Sequence, residues 1–373
     1  MMTGFDGLAK GRFEDYLADR YDSNVQVTYK GREALYLALK NAKLLPGDHV
    51  AINGYTCFAV YDAVQAAGMK PVYVDVAKDS LNFDVAGLKA AVKKDSKIKG
   101  VIVQNTLGFP VDMKAIEKFT HSKKLHLIED LAHSIGVIYS DGREAGTVAD
   151  AALSFSQDKV VDAVSGGAYI YRGKKRKFDT KRLRYTRFLK DYYYIWNTIF
   201  IRSGYIWGGG KIYDYLLKRL RLMPKPMDGK ADNVRRPDTW HMSLAHKQFN
   251  DLEETTEHRR MIAEIYRQNM PKKVQMPHDD NSNYLRFPLQ VEDPKSLIKF
   301  LDSKRIYVSD TWYEATVSPK RELHRTNYEE GMCPRAEKLA THMVNLPTHV
   351  NVDVDTAEEI TARVNEWLSK QDQ

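Results

Sequence analysis

Between about residues 31 and 171 the chain alternates short apolar runs with stretches whose apolar residues recur at helical spacing. Residues 31–42 place Ala34, Leu35, Ala38, Leu39 and Ala42 on one face, which predicts a helix. Pro46-Gly47-Asp48 reads as a turn, 50–53 as a strand, and 61–67 as a helix that Gly68 closes. Further strands are predicted over 71–75, 100–104, 125–130, 151–156 and 167–171, with a helix over 113–122. Strands alternating with helices predict an α/β fold, a largely parallel sheet covered on both faces. Ligands of such sheets sit beyond the carboxyl ends of the strands. After Arg172 the pattern breaks. It resumes with a helix over about 240–269, a strand over 284–290, a helix over 294–303, a strand near 306–308 and a helix over 356–369. The expected organisation is a large domain over 1–236 and a smaller C-terminal α/β domain over 237–373.

Composition changes this picture in one place. A chain of 373 residues with 43% hydrophobic and 28% charged residues is ordinary for a soluble globular protein. Cys57 and Cys333 are far apart and offer neither a disulfide framework nor zinc-ligand spacing, so no metal is expected and a reducing cytoplasm is the simplest compartment. The start, Met1-Met-Thr-Gly-Phe-Asp-Gly7, lacks the apolar stretch of a signal peptide. The net charge of +8, however, is uneven. Residues 172–236 hold 19 Lys/Arg against 5 Asp/Glu, whereas the rest of the chain holds 38 against 44. The protein reads as a mildly acidic globule carrying one basic segment.

Two strand ends carry candidate chemistry. Leu125-His-Leu-Ile-Glu-Asp130 ends on a carboxylate, and Ala151-Ala-Leu-Ser-Phe-Ser-Gln-Asp-Lys159 continues into a hydroxyl, Ser154, and an amine. A buried amine, a buried carboxylate and phosphate-binding groups are what pyridoxal 5'-phosphate needs. The lysine forms a Schiff base with the aldehyde and the acid partners the pyridine nitrogen. Burial would lower the pKa of Lys159 and make it a nucleophile, then a general base and acid. The plainer alternative makes Asp130 a strand-end cap and Lys159 a surface residue. Lys30-Gly31-Arg32-Glu33-Ala34 opens the first helix, whose free amides and dipole favour a phosphate, or it is a simple helix start. His133 lies beside the ring or is a structural histidine, and Ser154 is a phosphate donor or one more small strand residue.

Taken in order, several motifs resemble the DegT/DnrJ/EryC1/StrS family of sugar aminotransferases, which have the type I fold of pyridoxal phosphate enzymes. They are Gly31-Arg-Glu-Ala-Leu35 before Leu45-Pro-Gly-Asp48, Gly68-Met-Lys-Pro-Val-Tyr-Val-Asp75, Ile128-Glu-Asp-Leu-Ala-His-Ser-Ile-Gly136 and Ser154-Phe-Ser-Gln-Asp-Lys159. Gly166-Gly167, Cys333-Pro-Arg-Ala-Glu-Lys-Leu-Ala340 and Asn345-Leu-Pro-Thr348 complete the series. The resemblance implies that Lys159 is the Schiff-base lysine, that Asp130 partners the pyridine nitrogen, and that Ser154 with the amides of Gly31 and Arg32 holds the phosphate. His133 stands where the family usually has glutamine. Arg32 stands near the family's small hydroxyl residue, and Cys57, with Phe58 adjacent, where an aromatic commonly stacks. Asn233 is the nearest match to an asparagine supplied by a neighbouring subunit. The implied activity is transfer of an amino group, from glutamate, onto a keto sugar carried on a nucleotide diphosphate, by a homodimer. Dehydratase relatives have histidine in place of the lysine, so Lys159 favours amino transfer. The alternatives are a pyridoxal-phosphate-dependent dehydratase or isomerase, and a non-catalytic regulatory or membrane-surface relative.

The basic segment has its own periodicity. Residues 182–202 place Tyr185, Phe188, Leu189, Tyr192, Trp196, Ile199 and Phe200 at helical spacing, with Arg184, Arg187 and Arg202 elsewhere around the wheel. Ile212, Tyr215, Leu216 and Leu220 continue it after Gly208-Gly-Gly210. Its longest uncharged run, about ten residues, is too short to span a bilayer. Three readings stay open. They are an insertion that packs in a dimer, a helix over 181–221 lying on the anionic inner face of the membrane, and an attractor for an anionic substrate. No nucleic-acid-binding module is present.

Overall fold

The computed structural model describes residues 3–173, 178–205, 209–220, 222–224, 229–274, 278–308 and 313–371. The elements in order are α1 (Thr3–Tyr21), β1 (Asn24–Thr28), α2 (Gly31–Asn41), β2 (His49–Asn53), β3 (Thr56–Cys57), α3 (Phe58–Ala66), β4 (Lys70–Val74), α4 (Val85–Lys94) and β5 (Ile98–Gln104). Then come α5 (Met113–Ser122), β6 (His126–Asp130), β7 (Asp150–Ser154), β8 (Gly167–Tyr171), α6 (Tyr185–Tyr205), α7 (Gly210–Arg219), α8 (Thr239–Asn250) and α9 (Leu252–Asn269). The chain closes with β9 (Phe287–Gln290), α10 (Pro294–Ser303), β10 (Val317–Ser318), α11 (Pro334–His342), β11 (Met343–Leu346) and α12 (Val354–Gln371).

Seven strands form one sheet in the order β1-β8-β7-β6-β5-β2-β4. The five from β7 to β4 are parallel, and β8 runs against both its neighbours. One apolar core packs α1, α4, α5 and α8 on one face of the sheet, and a second packs α2 and α3 on the other. The expected parallel sheet covered by helices is therefore what forms. Local chemistry starts the helices, as Asp84, Asp112 and Asp293 each accept an amide of the first turn of α4, α5 and α10. Gly68, at φ +90°, follows α3 where only glycine is unstrained.

Some elements differ from the sequence reading. The helix expected over 240–269 is two helices, because Asp251 closes α8 and opens α9. Their apolar faces then separate, with Phe249 and Leu252 in the sheet's core and Ile262 and Tyr266 in the C-terminal core. The strand expected over 306–308 does not form. The Ile306 amide bonds Leu301 O to finish α10 instead of joining a ladder, and Ile306 and Val308 pack on the C-terminal core from a turn. β1 precedes the predicted alternation of strands and helices. Its polar Gln26 is buried by a two-way bond with the Phe178 backbone.

The basic segment forms α6 and α7, as its spacing implied. The side chains of Tyr185 and Arg202, and residues Gly208 and Arg221, lie outside the described residues. No helix among the described residues is long and apolar enough to cross a membrane.

Candidate active site

Three parallel strands end side by side: β5 at Gln104, β6 at Asp130 and β7 at Ser154, with Gln104 paired to Asp130 in the ladder. Beyond them opens a cleft of about 670 Å³, counting space open to solvent. Seven residues singled out in the sequence line it: Gly31, Arg32, Cys57, Asp130, His133, Ser154 and Lys159.

Alternation along β6 sends its two carboxylates to opposite sides. Glu129 is buried and satisfied by the amides of Gly146, Val148 and Ala149 and by Tyr139 Oη. Asp130 borders the cleft, accepting from the Ala132 amide at 3.0 Å. Burial raises its carboxyl above the usual range, against that amide and Lys159. After β7 the chain turns through Asp158, at φ +62°, and Lys159 enters the cleft wall. Burial lowers the Lys159 pKa, while Cys57, Asp130 and Asp158 oppose the shift. An amine held this way is more readily unprotonated and nucleophilic.

His133 is a neutral ring. Burial drives its pKa well down, and the Leu107 amide donates to Nδ1 at 3.2 Å, which puts the ring proton on Nε2. Tyr313 meets it edge-on, with ring centroids 5.6 Å apart.

The start of α2 abuts the end of β7. A Cβ built on Gly31 would stand 2.5 Å from Ser154 Cβ, so only glycine allows this approach. The first-turn amides of Gly31 and Arg32 lie at the positive end of the α2 dipole. Together with the Ser154 hydroxyl they make a cradle suited to an anion. The Arg32 guanidinium donates to Gly229 O at 3.2 Å and lies 3.7 Å from Asp62. Gly31→Ala is expected to cost about 1–3 kcal/mol of stability by overpacking. It should also weaken pyridoxal phosphate binding, which absorbance titration of the apoprotein measures.

Two of the nine singled-out residues do not line the cleft. Phe58 is the first residue of α3, one helical step past Cys57. It packs on Tyr61 and Val317 beneath the Arg325 guanidinium. Asn233 lies near the end of the basic segment and accepts from Lys181 Nζ at 3.2 Å. Conversely, Lys30, Gln104 and Tyr313 line the cleft without having been singled out. Gln104 was findable by the same strand-end rule as Asp130. Tyr313 had no signal, because it reaches the site only through the pairing of β10 with β3.

A mostly parallel sheet flanked by helices, with this cleft at its strand ends, is the architecture of the pyridoxal-phosphate-dependent aminotransferases. The chain belongs to the DegT/DnrJ/EryC1/StrS aminotransferase family, whose model matches residues 5–205 and 227–365. Among its relatives is a pleiotropic regulatory protein of Geobacillus stearothermophilus, 26% identical over 90% of this chain and 83% of that one. Another is the dTDP-3-amino-3,4,6-trideoxy-alpha-D-glucose transaminase of Streptomyces venezuelae, 25% identical over 92% and 82%. The crystal structure of DesV from S. venezuelae superposes with a TM-score of 0.75 at 22% identity, covering 96% of this chain and 89% of that one.

Proposed function

We propose that this protein transfers an amino group from an amino acid, glutamate first among donors, to a keto sugar carried on a nucleotide diphosphate. The observation that carries the proposal is Lys159 and Asp130 in one cleft with the cradle of Gly31 and Ser154. Two relatives named for nucleotide-sugar products, the S. venezuelae transaminase and a GDP-perosamine synthase of Escherichia coli O157:H7, support the substrate class.

The donor set fits pyridoxal phosphate. When bound, that group supplies an aldehyde that takes up the amino group and a ring that withdraws electrons. Lys159 would meet the aldehyde with its amine and afterwards carry the substrate proton. Asp130 would hold a proton on the ring nitrogen. His133 and Cys57 would border the ring. Ser154 and the amides of Gly31 and Arg32 would hold the phosphate. Because lysine rather than histidine stands at 159, amino transfer is favoured over dehydration. We place the enzyme as a homodimer in the cytoplasm, with Asn233 of the partner subunit completing the phosphate cradle. Incubation with glutamate and a panel of nucleotide-linked keto sugars should yield an amino sugar by mass spectrometry. A protein that binds the cofactor but aminates none of them would contradict the substrate class.

The insertion we place on an anionic lipid surface. Of nineteen exposed large apolar side chains among the described residues, twelve lie between Tyr192 and Leu222, within the basic segment. So dense an exposed patch marks an interaction surface, and its charge suits anionic headgroups. The triple variant W196S/F200S/I212S should lose co-sedimentation with phosphatidylserine vesicles and keep its activity. Equal binding by variant and wild type would contradict this placement.

A further inference from the structure

The outer face of α6 is exposed, but its Asp191 points inward. Asp191 has no exposed surface, and it accepts from Tyr29 Oη and from His241 Nε2, the latter at 3.2 Å. The Asp238 amide donates to His241 Nδ1, so the proton of that neutral ring sits on Nε2 and points at Asp191. Tyr29 Oη in turn accepts from Arg187 Nε at 2.8 Å and from Ser165 Oγ at 3.3 Å. Ser165 Oγ accepts from Lys30 Nζ at 3.0 Å. Donors and acceptors therefore run in one consistent direction from Lys30 through Ser165 and Tyr29 to Asp191. Lys30 is 2% exposed, lines the cleft and directly precedes Gly31, at the start of the anion cradle.

We propose that Lys30 is a phosphate-side cation of the cofactor site, held there through Ser165 and Tyr29 by Asp191 of the inserted helix. The insertion thereby becomes part of the site's scaffold, and Asp191 a positioning residue. The proposal rests on the pyridoxal phosphate reading above. Its chemistry follows from burial. An ammonium out of water needs a counter-charge, and the Asp191 carboxylate is the strongest opponent of the burial that brings Lys30 down to about 7. A phosphate at the start of α2 would be a second such counter-charge, so cofactor and ammonium stabilise each other.

The test compares pyridoxal phosphate with pyridoxal, which shares the ring and aldehyde but lacks the phosphate. Apoprotein is titrated with each at one pH, and the readout is the ratio of the two affinities. Lys30→Met should lower that ratio about tenfold, the scale of one charge–charge interaction in a partly buried site. Lys30→Arg should restore most of it, and Asp191→Asn should lower it in the same direction. A Lys30→Met ratio equal to wild type, whether both affinities hold or both fall together, would overturn the proposal. Should Lys30→Met not fold, Tyr29→Phe and Asp191→Asn decide by the same ratio. Wild-type protein that binds neither compound would instead overturn the functional reading, and this one with it.

Discussion

Lys159→Ala is expected to lower amino transfer by about 10³-fold or more, since one side chain serves as nucleophile and as proton carrier. Lys159 follows a turn at the cleft wall and is not part of the apolar cores. The variant should therefore keep wild-type circular dichroism and melting temperature. Cofactor is expected to bind still, through the cradle at Gly31 and Ser154, but without the Schiff-base shift of its absorbance, which needs the lysine amine. A variant with more than a few per cent of wild-type turnover would remove Lys159 from the chemistry. Loss of folded protein would instead make it a structural residue.

Asp130→Asn should have the second largest effect. Asparagine keeps the shape and can accept from the Ala132 amide, but it cannot hold a proton on a ring nitrogen as a carboxylate does. A fall in kcat of about 10²-fold is expected, within the range for proton-transfer partners. The apoprotein should respond in the opposite sense. Burial raises the Asp130 carboxyl in the folded protein, so the folded state binds its proton more tightly than the unfolded chain. That contribution to stability is full below the unfolded pKa and is lost as pH rises through the raised one. At neutral pH the wild type carries the cost of a buried carboxylate and the variant does not. The Asp130→Asn apoprotein should accordingly melt no lower than wild type at pH 7, and its advantage should vanish in acid. A variant that is less stable at pH 7 and equally active would make Asp130 a strand-end cap.

The sheet and the two ends that carry Asp130 and Lys159 were legible because local patterns encode them. Buried parallel strands are apolar runs, and the residue that breaks the run marks the strand's end. Glu129 next to Asp130 shows the limit of that rule. Two adjacent carboxylates look alike in sequence, and only the strand's register decides which one binds backbone amides and which faces the cleft. Features made by distant pairings were not legible. Tyr313 depends on the pairing of Thr56 and Cys57 with Val317 and Ser318. The chain from Lys30 to Asp191 joins residues 161 positions apart, and Asp191 sits in a segment where charge and aromatic content dominated the pattern. Arg32 looked like a departure at the phosphate cradle. Its side chain is engaged by Asp62 and Gly229 at the edge of the cleft.

The central claim is that Lys159 and Asp130 form a working pyridoxal phosphate site. The most direct measurement is the absorbance spectrum of the purified protein with pyridoxal phosphate, before and after glutamate. The account predicts a yellow protein whose visible band bleaches with glutamate and returns with 2-oxoglutarate, and neither change in Lys159→Ala. A colourless protein that ignores added pyridoxal phosphate, or a Schiff-base band that survives Lys159→Ala in the absence of amino acid, would contradict it.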